Sequence, residues 1–197
     1  AELERLGKEN MAGMMQTIDR YGIDCHAEWG GELTVAVDPA HVSGLHEEHA
    51  LHLKYGHNAV FLDEDAIRGE IASPRYRAGV WSKDVSGTVH PALLAWGLKR
   101  VALELGVAVF EGTELLGLET AGKHIKARTA HGSVTAPRVL LATNAFGAGH
   151  RKIRRRIVAV RDRVLATEPL TADQMAAIGW HNRQGVYDTR TQMNYMR

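Results

Sequence analysis

A chain of 197 residues, 45% hydrophobic and 24% charged, is long enough for one domain or one and a fraction around a real core. Its 24 Lys and Arg against 23 Asp and Glu leave a net charge of +1, so global charge points to no nucleic-acid, membrane or polyanion partner. The single Cys25 excludes an internal disulfide, no apolar run reaches the roughly 18 residues that span a bilayer, and no signal peptide opens the chain; a cytoplasmic protein is expected.

Leu3, Leu6, Met11, Met14, Met15 and Ile18 recur at helical spacing and predict a helix over 1–21, stopped by Gly22. Gly31 to Val37 alternates as a strand. Asp38-Pro39 then opens a second helix, with Asp38 as N-cap and Pro39 at its first position, running to Tyr55 and closing on Gly56. A short strand at 59–62 precedes Asp63-Glu64-Asp65, an acidic start that suits the positive end of a helix. Pro91 to Leu105 is a helix with a wide apolar face, ended by Gly106. Val107–Phe110 and Val139–Ala142 read as short buried parallel strands, and 114–142 as successive strands turning near Gly122 and Gly132. Ile157–Thr167 alternates as a long strand, a helix follows over 171–178, and strands are expected near Val186 and Met193. The expected class is α+β (mixed α/β), with a mixed or antiparallel sheet and interleaved domains: the chain leaves one domain near 87 and returns near 150.

Several constellations carry chemistry in principle. A dinucleotide site needs a strand, G-x-G-x-x-G and a helix whose first amides receive the pyrophosphate. Gly147-Ala148-Gly149-His150-Arg151-Lys152 comes nearest, but Lys152 stands where a small residue lets helix and strand pack; a glycine-rich turn is the simpler reading. His41, His46, His49, His52 and His57 crowd one stretch. His46 and His49 are three apart, unlike the H-E-x-x-H spacing, and no Cys or carboxylate cluster completes a metal site; a solvated helix face is the simpler reading, and no metal is expected. The basic run 151–156 lacks interleaved aromatic residues, which argues for an exposed or domain-contact strip over a nucleic-acid site. No G-x-S-x-G elbow surrounds any serine. In Tyr187-Asp188-Thr189-Arg190 and Asn194-Tyr195-Met196-Arg197, strand alternation turns Tyr195 and Arg197 one way, and Tyr187 and Thr189 one way. Arg suits a carboxylate and Tyr supplies a hydroxyl beside an apolar wall, although plain core-and-surface alternation explains the same pattern.

Taken in order, Gly22-Ile23-Asp24-Cys25, Gly31 to Ala36, Gly87-Thr88-Val89-His90-Pro91, Gly106 to Leu115, Val139 to Ala145, Thr167-Glu168-Pro169-Leu170 and Tyr187-Asp188-Thr189-Arg190 resemble the D-amino-acid-oxidase-like FAD-dependent oxidoreductases. Within that family they are most similar to the gamma-glutamylputrescine oxidase branch, where Asn144 stands in place of the commoner Gly; Asn tolerates positive φ.

The resemblance implies an enzyme that oxidises a C–N bond of an amine or amino acid, of putrescine-derivative or D-amino-acid type. Hydride passes to FAD, the imine hydrolyses, and dioxygen or another acceptor reoxidises the flavin. It implies a first part of the substrate domain over 1–86, a partial, Rossmann-like FAD-binding segment over 87–149, and a second part of the substrate domain over 150–197. Leu115, Thr143 and Asn144 fall on the cofactor side. Tyr187, Arg190, Tyr195 and Arg197 are the candidates for substrate contact, and no catalytic base is named. The expected partner is a small amine or amino acid. Because the family's N-terminal phosphate loop and C-terminal segment have no counterpart in these residues, the chain is read as an internal fragment, inactive and not retaining FAD alone, and open to self-association. A second class stays open: a non-catalytic standalone binding or interaction domain derived from a flavoprotein scaffold.

Overall fold

The structure, a computed structural model, describes residues 2–149, 154–158 and 160–197. Helix α1 (Glu2–Arg20) occupies the first apolar-periodic stretch, and Gly22 ends it at φ 55°. Strand β1 (Glu32–Ala36) follows. The Asp38 side chain accepts from the Ala40 N–H at 2.9 Å, but the first turn, Pro39–His41, is a tight 3₁₀ turn, and the α-helix α2 runs only from Val42 to Lys54. Strand β2 (Ala59–Leu62) leads to α3 (Glu64–Glu70), which Asp63 caps through the Ala66 N–H at 2.9 Å.

Strand β3 (Ala78–Ser82) has no counterpart among the sequence-based expectations. Gly79 breaks its β signal, and the fold explains that glycine: a Cβ there would meet Ile67 Cδ1 of α3 at 2.9 Å. Helix α4 (Pro91–Glu104) begins with His90 accepting from the Leu93 N–H at 3.3 Å and with Pro91 at its first position. Strands β4 (Gly117–Ala121), β5 (His124–Thr129) and β6 (Gly132–Ala136) follow. Helix α5 (Ala172–Ile178) carries a capping box between Thr171 and Gln174. Strands β7 (Gly185–Asp188) and β8 (Tyr195–Met196) complete the order.

Two compact units result: Ala1–Val107 with Pro169–Arg197, and Ala108–Glu168. The first is built on a mixed five-stranded sheet of order β2-β3-β1-β7-β8, in which β1 runs antiparallel to β3 and parallel to β7. One face of the sheet sends Leu33, Val35, Leu62 and Val186 against Ile67, Ile71 and Tyr76, with Ile178 and Trp180 packed on the rim. On the other face Ala36, Ala59, Ala78 and Val80 are small enough for Leu45 of α2 to lie close. A third cluster joins Ile23, Cys25 and Val101 of α4, with Ile18 and Tyr21 beside it. The second unit contains an antiparallel meander, β4-β5-β6, with Arg128 paired to Glu119 across it at 2.5 Å.

Three expected strands are corrected. Val107–Phe110 and Val139–Ala142 form no ladder among the described residues, and Phe110 is 71% and Leu140 90% exposed. An extended segment without a neighbouring strand has nowhere to send its N–H and C=O groups except water, so apolar composition alone makes no strand. The described residues of 157–167 likewise carry no strand, with Val158, Val160, Val164 and Leu165 all exposed. Of the basic run, 151–153 lie outside the described residues; Arg154–Arg156 form one exposed 3₁₀ turn.

Candidate functional site

The parallel pairing of β1 with β7 sets Thr34 opposite Tyr187, and the antiparallel pairing of β7 with β8 sets Tyr187 opposite Tyr195. The two tyrosine rings lie 6.4 Å apart between centroids. Thr34 Oγ1, across the ladder from Tyr187, donates to Glu48 Oε1 of α2 at 3.0 Å. Burial pushes the Tyr187 phenol up from its ordinary value; the Thr34 hydroxyl beside it opposes, and Glu32, Glu48 and Tyr195 push it further up. The net result is a phenol that keeps its proton, bordered by carboxylates and by the exposed ring of Tyr195. Such a surface suits a cationic or hydroxyl-bearing small molecule laid across two aromatic rings.

The next residue points to the opposite face, because strand neighbours alternate. Asp188 is 3% exposed and accepts from Arg190 Nε at 3.0 Å, Arg190 Nη2 at 2.5 Å, the Arg190 backbone N–H at 3.1 Å and Asn194 Nδ2 at 3.0 Å. Burial alone would raise the carboxyl; the bonds from Arg190 and Asn194, with the Arg190 charge, outweigh it and hold Asp188 below its usual range. The Tyr76 phenol is pushed up by burial and by Asp188, with Arg190 opposing.

The four candidate substrate residues therefore separate. Tyr187 and Tyr195 stand together, Arg190 is turned to Asp188, and Arg197 is exposed. Thr34 and Glu48 are residues the sequence reading passed over. The alternation of β1 put Thr34 on a face with Glu32, but only the β1–β7 pairing shows that Tyr187 joins them.

The histidines act as packing and tie residues. His46 stacks on Phe61 at 4.0 Å between centroids, His49 Nε2 lies 3.3 Å from the Ala59 carbonyl oxygen, and His41 Nδ1 lies 2.8 Å from Thr189 Oγ1. Among the described residues no group of three or more His, Cys, Asp or Glu is arranged to hold a metal ion. Nor is any helix among them long and apolar enough to cross a membrane.

The cofactor-side candidates lie in the second unit. Leu115 and Thr143 are exposed, and Asn144 takes φ 46°, the left-handed conformation expected of it. The segment Asn144–Gly149 winds as a 3₁₀ turn rather than as a loop delivering amides from a strand to a helix; His150 to Lys152 lie outside the described residues. The shallow surface depressions beside His57 and along the Trp96 side of α4 are lined by other residues. The described residues thus do not make an FAD pyrophosphate site: the donor set such a group needs is not assembled among them.

Comparison with known proteins places the chain. Over 190 residues it is 28% identical to the "Probable oxidoreductase OrdL" of Haemophilus influenzae, covering 92% of this chain and 43% of that protein. Over 162 residues it is 33% identical to the gamma-glutamylputrescine oxidoreductase of Escherichia coli K12, covering 80% of this chain and 37% of that protein. The chain therefore spans about two fifths of the length of these relatives. The glycine oxidase of Geobacillus kaustophilus shares the fold at a TM-score of 0.69 and 16% identity, over 94% of this chain and 49% of that one. The pattern of the family DAO, FAD dependent oxidoreductase, matches residues 1–197. The chain belongs to the DAO family of FAD-dependent oxidoreductases.

Proposed function

We propose that this chain is the substrate-side part of a flavoenzyme that oxidises a C–N bond of an amine or amino acid, with FAD as its cofactor. The observation that carries this is the family match over the whole chain together with the Tyr187–Tyr195 pair on the mixed sheet. In this reading 1–86 and 150–197 build the substrate domain, and 87–149 is the excursion toward the FAD domain. Leu115, Thr143 and Asn144 are the positions assigned to the cofactor side.

The chemistry of the face favours an amine over an amino acid. Glu32 and Glu48 border Tyr187, while Arg190, two residues beyond β7, is occupied by Asp188. The protein's part is to bind and orient the substrate nitrogen between the rings and to exclude water around it. The relative named for gamma-glutamylputrescine points to a putrescine derivative as the first compound to try.

The test is anaerobic bleaching of the flavin in the flavoprotein that carries these residues, offered gamma-glutamylputrescine, glycine and D-alanine in turn. Bleaching by the amine, with a KM raised about tenfold or more by Tyr187→Ala at little change in kcat, is the expected result. Bleaching by none of the three, or no effect of Tyr187→Ala, contradicts the reading.

A further inference from the structure

Tyr195 has little of its own to hold it in place. It lies in β8, a strand of two residues at the outer end of the five-stranded sheet, paired with β7 through Val186–Met196 and Tyr187–Tyr195. A hairpin that short is marginal in water. Yet the approach of the two rings depends on this register, because a slip of one residue would turn Tyr195 to the face opposite Tyr187.

The connection between the two strands, 189–194, is tied at both ends to one carboxylate. At its entry the Arg190 N–H donates to Asp188 Oδ1 at 3.1 Å, and the Arg190 guanidinium closes on Oδ2 through Nε at 3.0 Å. At its exit Asn194 Nδ2 donates to the same Oδ2 at 3.0 Å, and the Asp188 N–H donates to the Asn194 carbonyl at 3.2 Å. Asp188 is buried, so water competes little for these bonds, and the Arg190 charge offsets that of the carboxylate. Thr189 secures the entry a second time: its N–H donates to the Val35 carbonyl at 3.1 Å, and its Oγ1 lies 2.8 Å from His41 Nδ1. Residues 191–195 are exposed, so the exit leans on Asp188.

We propose that Asp188 is the positioning residue of the tyrosine pair: through Arg190 and Asn194 it closes the 189–194 connection and so fixes Tyr195 opposite Tyr187. Its side chain lies on the other face of the sheet from Tyr187, so it acts through the connection and not by touching substrate. Arg190 then belongs to this clamp rather than to the substrate surface. The functional consequence rests on the reading of the two rings as that surface.

Two-dimensional NMR of the 197-residue chain tests the clamp, read on the cross-peak between the ring protons of Tyr187 and Tyr195. Asn194→Ala removes the exit tie at an exposed position and leaves the sheet core untouched. Its cross-peak is expected to weaken about threefold or more, the scale on which loss of one hydrogen bond shifts a local equilibrium. Asp188→Asn should weaken it as far, because one amide oxygen cannot serve both Arg190 and Asn194 as the carboxylate does. Gln192→Ala, exposed in the same connection, should leave it unchanged. In the flavoprotein that carries these residues, Asn194→Ala should raise KM for gamma-glutamylputrescine about threefold or more at little change in kcat. A cross-peak of undiminished strength in Asn194→Ala or Asp188→Asn overturns the clamp, and so does one weakened equally in Gln192→Ala. An unchanged KM in Asn194→Ala, with the cross-peak weakened, overturns the positioning role. The cross-peak needs no flavin, so a flavoprotein that the amine fails to bleach counts against the substrate reading, while NMR alone decides the clamp.

Discussion

Gly31→Ala is expected to destabilise the first unit by about 2 to 5 kcal/mol, read as a lowered urea midpoint with an unchanged slope. Two effects add at this position. Its φ of 75° lies in the left-handed region, where a Cβ costs about 1 to 2 kcal/mol. The Cβ would also sit 2.2 Å from the Ser82 carbonyl oxygen and 2.7 Å from Lys83 Cα. Both are backbone atoms at the end of β3, fixed by the ladder with β1, so neither can swing away. Gly56→Ala separates the two effects. Its φ is 74°, yet nothing lies within 4 Å of its Cβ, so it should lose only the conformational part. Equal losses at the two glycines would show that the close approach of β1 and β3 is absent in solution.

Asp188→Ala is the second large effect, about 2 kcal/mol near neutral pH. The carboxylate is buried and accepts from Arg190 and Asn194; without it, the Arg190 backbone N–H and the Asn194 amide lose their acceptor. Arg190 itself can turn to water, which keeps the figure at the low end. The pH dependence follows from the direction of the shift. The folded carboxyl sits below its ordinary value, so the folded state binds the proton more weakly than the unfolded chain. The stabilisation is fully present above the unfolded value of about 3.9 and is lost as pH falls through the lower folded value. Urea unfolding at pH 7 and pH 3 should therefore show the gap between the parent and Asp188→Ala narrowing in acid. A gap that stays constant would mean that Asp188 contributes by packing alone.

The sequence made the capped and glycine-stopped elements legible because their signals are local. Gly22 and Gly56 take the positive φ their position requires, and Asp38 caps through the Ala40 N–H as expected. Strand β3 escaped because its signal is not local: Gly79 weakens the β pattern for the sake of Ile67, a residue of another element. Val107–Phe110 and Val139–Ala142 failed in the opposite direction, since composition records a buried environment but not which strand supplies it. The tyrosine pair was visible as a pattern near the C-terminal end. That Thr34 and Glu48 join Tyr187 depends on partners reached through pairing or packing. The histidines show the same limit: their crowding was plain, while their separate roles against Phe61, Ala59, Thr189 and Glu4 needed the fold.

The proposal that these residues form the substrate side of a flavoenzyme includes that they do not by themselves hold FAD. Flavin content of the purified 197-residue chain, refolded or expressed with excess FAD, measures this most directly. A colourless protein with flavin absorbance far below one FAD per chain is expected; a yellow protein with flavin near stoichiometry contradicts the proposal.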